Sequence, residues 1–177
     1  KMYGPRGSGI LYVRSGTEIS PIIFGGGQEG GLRSGTENVP AIAGLALALD
    51  ISEKMKEKES ARLLKLRDYA IDNILKNFPQ ATLNGPKENR LPNNINICFP
   101  NLDAEFAVIS LDVAGISCSY SSSCQTLKED SSSYVVSALG KPACANSSLR
   151  FTLGRESKKS DIDYLIKVLK KIIKSVS

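Results

Sequence analysis

The chain of 177 residues has no histidine and no tryptophan, and aromatic residues make up only 6% of it. Without histidine the usual zinc signatures cannot be completed, and none of the four cysteines (Cys98, Cys118, Cys124, Cys144) stands in a C-x-x-C pair. So few thiols in so long a chain fit a disulfide framework poorly, and at least some are expected to be free. No apolar run approaches the length of a membrane span, and the first residues do not resemble a signal peptide. The expectation is a soluble, cytoplasmic protein.

What is present allows a real core: 41% of the residues are hydrophobic. The net charge of +5 comes mainly from lysines in residues 54–76 and 158–174. Both stretches are helically periodic, so these lysines read as solvated faces. They are not interleaved with aromatics and form no recognised nucleic-acid motif.

KMYGPRGSGILYVR joins a glycine-punctuated turn to an apolar run at 10–13 that reads as a strand. PIIFGGGQEGGLRSGTENVP crowds glycines around Gln28, Glu29, Arg33 and Thr36, too many for a regular element. It predicts an irregular loop that turns tightly or approaches something closely. AIAGLALALDI suits a buried helix. A more amphipathic stretch follows, with Leu63, Leu66, Ala70, Ile74 and Phe78 three or four apart, closed by Pro79. NNINICFP alternates like a strand, and DAEFAVISLDV predicts a helix capped by Asp103. Residues 116–119 suggest a short strand, 132–139 a short helix beyond a serine-rich loop, and SLRFTL another strand. The last helix reads most clearly. Ser160 is its expected cap, and Ile162, Leu165, Ile166, Leu169, Ile172, Ile173 and Val176 form one apolar face. Strands alternating with helices indicate an α/β fold with helices covering a sheet. The chain opens abruptly, with no initiator methionine and no preceding strand, and is expected to be a fragment.

Three segments in order, KMYGPRGSGILYV, GGGQEGGLRSGTENVPAIAG, and SCSYSSSC followed by SSLRFTLGR, resemble the NifS/IscS-type cysteine desulfurases of the class V aminotransferase family. Singly the glycine segments are weak signals. Together, with PNNINICFP between them, they are strong, and the resemblance runs through essentially the whole chain. It implies the carboxy-terminal part of a fold-type I pyridoxal-phosphate-dependent transferase. Residues 1–38 would end the large cofactor-binding domain, and 39–177 would form a connecting helix and the small α/β domain.

The resemblance also assigns roles. Lys1 matches the lysine whose amine condenses with the aldehyde of pyridoxal 5'-phosphate and then moves protons at the reacting carbon. In isolation it reads as a frayed terminal residue. Thr36, in RSGTEN, matches the threonine that reaches the cofactor phosphate of the neighbouring subunit, which implies a homodimer. A hydroxyl beside Gly35 suits an anion, although Thr36 also stands where a helix cap would. Arg33 would steady that loop or the phosphate. Cys124 matches the thiol that accepts sulfur from L-cysteine as a persulfide while alanine leaves, for delivery to an iron–sulfur scaffold or a tRNA-thiolation protein. By itself it is an ordinary loop cysteine. Cys98 and Cys118 read as packing thiols in strands, and Cys144 as a loop residue without a task.

Arg150 matches the arginine that clamps the substrate carboxylate with two parallel charge-assisted bonds. Alone it reads as a surface arginine, but the alternation of SLRFTL sets it on the face opposite Leu149, Phe151 and Leu153. Arg155 is a weaker second choice. The sequence departs from the family at Gly30, where arginine is usual, and at Ser121 and Ser123, which replace glycine and alanine. The family's residues that hold the cofactor ring would lie before Lys1, so the fragment alone is expected to be inactive. The competing readings are another class V enzyme, such as a selenocysteine lyase, and a silent scaffold module of the same fold.

Overall fold

The alternation in NNINICFP does form a strand, and its pairing organises the rest. The computed structural model of the chain describes residues 2–120 and 132–176. In it, β1 (Thr82–Leu83), β2 (Asn94–Cys98) and β3 (Ser148–Thr152) make one antiparallel sheet in that order. The register sets Ile95 opposite Phe151 and Ile97 opposite Leu149, while Asn96 faces Arg150 and Cys98 faces Ser148. Because side chains alternate, one sheet face is apolar and the other polar.

The apolar face is covered by helices. Its residues share a core with Ile71, Ile74 and Phe78 of α1 (Val39–Asn77), Ala107 and Leu111 of α2 (Ala104–Val113), and Leu165 and Leu169 of α4 (Lys159–Val176). Phe78 meets Phe99 edge-on at 5.6 Å between ring centres. The short α3 (Tyr134–Ala138) is capped by Ser133. Asp103 caps α2 as the sequence predicts, its carboxylate accepting from the amides of Glu105 and Phe106.

Several sequence expectations are corrected. Residues 10–13 form no strand, and Ile10, Leu11 and Tyr12 are exposed; a strand needs a ladder partner, and among the described residues none pairs there. Residues 116–119 contribute only an isolated bridge from Ser119 to Arg150. The helical pattern before Pro79 is one continuous helix, α1. Its first part is not buried: Val39, Ile42, Leu47, Leu49 and Ile51 are exposed. Ser160 does not cap α4 but lies inside its first turn. The carboxylate of Asp161 accepts instead from the Lys158 amide.

The chain divides into two compact units, Lys1–Glu57 and Lys58–Ser177. The core described above lies in the second. In the first, Leu45 and Ser34 are the buried residues, and the turn at 3–5 lies close against α1. A Cβ placed on Gly44 would come within 3.0 Å of the Pro5 ring, so glycine is what allows that approach.

The cysteines depart furthest from expectation. Cys98, fully buried at the end of β2, is joined by a disulfide to Cys144 in the turn before β3, with a Cα separation of 5.4 Å. Neither is a packing thiol or an idle loop residue. The β2–β3 register brings together two positions 46 residues apart, which no local pattern announces. Closing a loop of that length is worth roughly 2–4 kcal/mol. Cys144→Ser is therefore expected to lower the urea midpoint of the full-length protein by that stability, and wild type in reductant to match it. Coincident unfolding curves for variant and oxidised wild type would show that the bond contributes nothing.

Candidate functional site

The polar face of the sheet carries a cleft of about 360 Å³. Its walls include Asn84, Asn94, Asn96 and Arg150 from the sheet and its approach, Arg90 from the 84–94 loop, and Tyr120 and Tyr134. No aspartate or glutamate lines it among the described residues.

Arg150 sits half-buried in β3, on the face opposite Leu149 and Phe151. Its backbone is held on both sides: opposite Asn96 in β2, and by paired hydrogen bonds with Ser119 at 2.7 and 3.1 Å. Its guanidinium has no hydrogen-bond or ion-pair partner among the described residues. A rigidly based guanidinium that meets no carboxylate among the described residues has the charge and the fork to receive an anion.

The second guanidinium of the cleft is differently employed. Arg90 donates to the Pro86 carbonyl at 2.9 Å, to the Asn94 carboxamide oxygen at 2.8 Å and to the Asn84 carbonyl. It ties the 84–94 loop to the sheet. Burial, and then the charge of Arg67, lower its pKa below the usual guanidinium value. Arg67 is itself buried; it donates to the carbonyls of Arg90 and Leu91 and pairs with Asp68.

Beneath the cleft runs a polar chain. Asn84 donates to the Asn96 carboxamide oxygen at 3.0 Å and to the Ser148 hydroxyl at 2.7 Å, and Ser148 donates to the Cys144 carbonyl at 2.6 Å. The buried side-chain oxygen of Asn84 accepts nothing among the described residues. The sequence reading missed Asn84, Asn96 and Arg90 as cleft residues. The alternation of NNINIC carried the signal for Asn96; nothing local marked the other two.

Thr36 belongs to the first unit. Its loop is tied internally: the buried Ser34 hydroxyl donates to the Phe24 carbonyl at 2.9 Å, and the Gln28 side chain accepts from the Gly35 amide at 3.1 Å. Arg33 donates to the Ser34 carbonyl at 2.6 Å, which suits a part in steadying the loop. Gly35 adopts a φ of 108°, a conformation open to glycine. Thr36 is exposed and is not the cap of α1. Asn38 is, its side chain accepting from the Ala41 amide at 3.2 Å. The hydroxyl of Thr36 is thus not taken by the helix. Lys1 and Cys124 lie outside the described residues.

Cys118 is the free thiol among the described residues, and it is partly buried. Burial, assisted by the Asp112 carboxylate, pushes its pKa up to about 11. At neutral pH it is a protonated thiol and a poor nucleophile. No helix among the described residues is long and apolar enough to cross a membrane, and no cluster of possible metal ligands occurs among them.

The aminotransferase class-V family model matches residues 1–165. Cysteine desulfurase IscS 1 of Archaeoglobus fulgidus is 48% identical over 173 residues, covering 97% of this chain and 45% of that protein. Cysteine desulfurase IscS of Dictyoglomus turgidum is 43% identical over 177 residues, covering 99% and 45%. Among solved structures, a NifS-like protein superposes with a TM-score of 0.85 at 32% identity, over 98% of this chain and 44% of that one. A NifS-like protein from Rickettsia africae gives 0.75 at 33%, over 89% and 41%. The chain thus spans somewhat under half the length of the relatives it matches.

Proposed function

The chain belongs to the aminotransferase class-V family, and from that premise we propose that the full-length protein is a cytoplasmic, pyridoxal-phosphate-dependent cysteine desulfurase. It converts L-cysteine to L-alanine and leaves the sulfur on Cys124 as a persulfide. In this reading residues 1–38 end the large domain and 39–177 form the connecting helix and small domain. The observation that carries the proposal is the Arg150 guanidinium, which among the described residues has no partner and shares its cleft with no carboxylate, within a chain so similar to named desulfurases.

The residues present suit the cofactor and the substrate as anion binders. The exposed Thr36 hydroxyl, left unused by the α1 cap, would hold the cofactor phosphate across the subunit boundary, with Arg33 bracing its loop. Lys1 would carry the cofactor and move protons. When bound, pyridoxal phosphate supplies an electron sink at the amino-acid α carbon. Arg150 binds the carboxylate of L-cysteine through its planar fork and so orients the side-chain sulfur. The Cys124 thiolate attacks that sulfur: an S–S bond forms, the C–S bond breaks, and a proton replaces sulfur on the carbon to give alanine. The persulfide then passes to an acceptor protein, an iron–sulfur scaffold or a tRNA-thiolation protein.

The direct test incubates the full-length protein with L-cysteine, measures alanine, and weighs the peptide spanning Cys124. Stoichiometric alanine with an added sulfur on that peptide is the expected result. Alanine formed from selenocysteine but not from cysteine would move the reading to a lyase, and no product from either would leave a silent module.

The same reading makes the protein a homodimer with composite sites. Sedimentation of the full-length protein should give a dimer at micromolar concentration. A monomer that keeps its cofactor would rule the composite site out.

A further inference from the structure

A second groove, of about 570 Å³, lies in the second unit between α1 and the segment leading into α4. From α1 come Lys58, Ala61, Arg62, Lys65, Leu66 and Tyr69; Lys158 and Lys159 close the other side. The α1 positions recur three and four apart, so they form one stripe roughly 16 Å long, three turns of helix.

Five cations line the groove, Lys58, Arg62, Lys65, Lys158 and Lys159, against the carboxylates of Glu59, Asp161 and Asp163 beside it, so the balance is positive. Arg62 is engaged by Glu59 and by the carbonyls of Gly154, Arg155 and Ser157. Lys159 lies over the Tyr69 ring at 4.5 Å. The nearby carboxylates point to other donors: Asp163 accepts from the Tyr69 hydroxyl at 2.6 Å, and Asp161 accepts from the Lys158 amide. Lys58, Lys65 and Lys158 are left, all exposed, with no ion pair among the described residues. Three ammonium groups without an ion pair among the described residues therefore border a floor made by Ala61, Leu66 and Tyr69.

We propose that this groove docks an acidic, amphipathic segment of a partner protein. Carboxylates of that segment meet the three lysines, and apolar side chains rest on the Leu66 and Tyr69 floor. The charge is complementary to acid, the stripe has the length of a few helical turns, and the floor rewards apolar contact. A nucleic acid fits less well, because the one aromatic ring already carries Lys159 on its face and leaves no stacking platform.

The test uses the full-length protein and a fluorescent helical peptide with glutamates on one flank and leucines on the other. Fluorescence anisotropy should report binding that weakens as salt rises. K58E/K65E/K158E should weaken it about tenfold or more, the summed effect of three exposed charge pairs turned repulsive. Should that variant fold poorly by circular dichroism, the neutral triple K58Q/K65Q/K158Q serves, with a smaller loss in the same direction. Equal binding by wild type and the folded triple variant overturns the proposal, as does a peptide with glutamine in place of glutamate that binds equally well. Absence of binding overturns it too. So does a single-stranded oligonucleotide that binds these lysines more tightly than the peptide.

Discussion

Cys124→Ser in the full-length protein is expected to cut alanine release from L-cysteine by roughly a thousandfold or more, the scale seen when a covalent nucleophile is removed. A serine hydroxyl cannot take up sulfur as a persulfide, so the C–S bond has no acceptor. Substrate binding should persist, since Arg150 and the residues that hold the cofactor are untouched. Cys118 should not rescue the variant. Burial and Asp112 hold its pKa near 11, so almost none of it is thiolate at pH 7, and only a markedly alkaline medium would release it. Cys118→Ser should accordingly stay active. Alanine is the quantity to measure, with mass spectrometry of the peptide spanning Cys124. Normal alanine from the Cys124 variant, with the added sulfur found on Cys118, would move the site while keeping the reaction. If neither cysteine mattered, a lyase of another specificity would be the better account.

Arg150→Lys should weaken L-cysteine binding by roughly 1–3 kcal/mol, the scale of charge-assisted hydrogen bonds. The ammonium keeps the charge but loses the planar fork that holds a carboxylate in one orientation. The structure sharpens this expectation. Arg90 shares the cleft but is fully engaged with Asn84, Pro86 and Asn94, so no spare guanidinium stands ready to substitute. The strand beneath Arg150 is held by Asn96 and Ser119, so the substitution should leave the sheet intact. The loss should therefore appear in KM for L-cysteine while thermal unfolding stays unchanged. Unaltered affinity would make Arg150 a structural residue and transfer the role to Arg155.

How much of this was legible beforehand depends on how local each signal is. The strands β2 and β3, the cap at Asp103 and the long apolar face of α4 follow from periodicity and capping within one element, and the sequence displays both. The apolar run at 10–13 has the composition of a strand, but a strand exists only with a partner to bond, and none pairs there among the described residues. Ser160 misled by a residue or two, since α4 begins at Lys159 and the Asp161 carboxylate accepts from the Lys158 amide. Thr36 reads as a possible cap, but Asn38 holds the cap of α1.

By itself, then, the sequence determined β2, β3 and the main helices in their order, the family, and the side of β3 on which Arg150 lies. All three are written in short-range patterns or in segment order. The tertiary structure alone decided that Cys98 and Cys144 are bonded, that Arg90 is a scaffold while Arg150 has no partner among the described residues, and that three lysines gather at one groove. Each of those depends on the antiparallel register of β2 with β3 or on α1 meeting the segment before α4. Contacts of that kind join residues dozens of positions apart, and their energy resides in the pairing rather than in either partner.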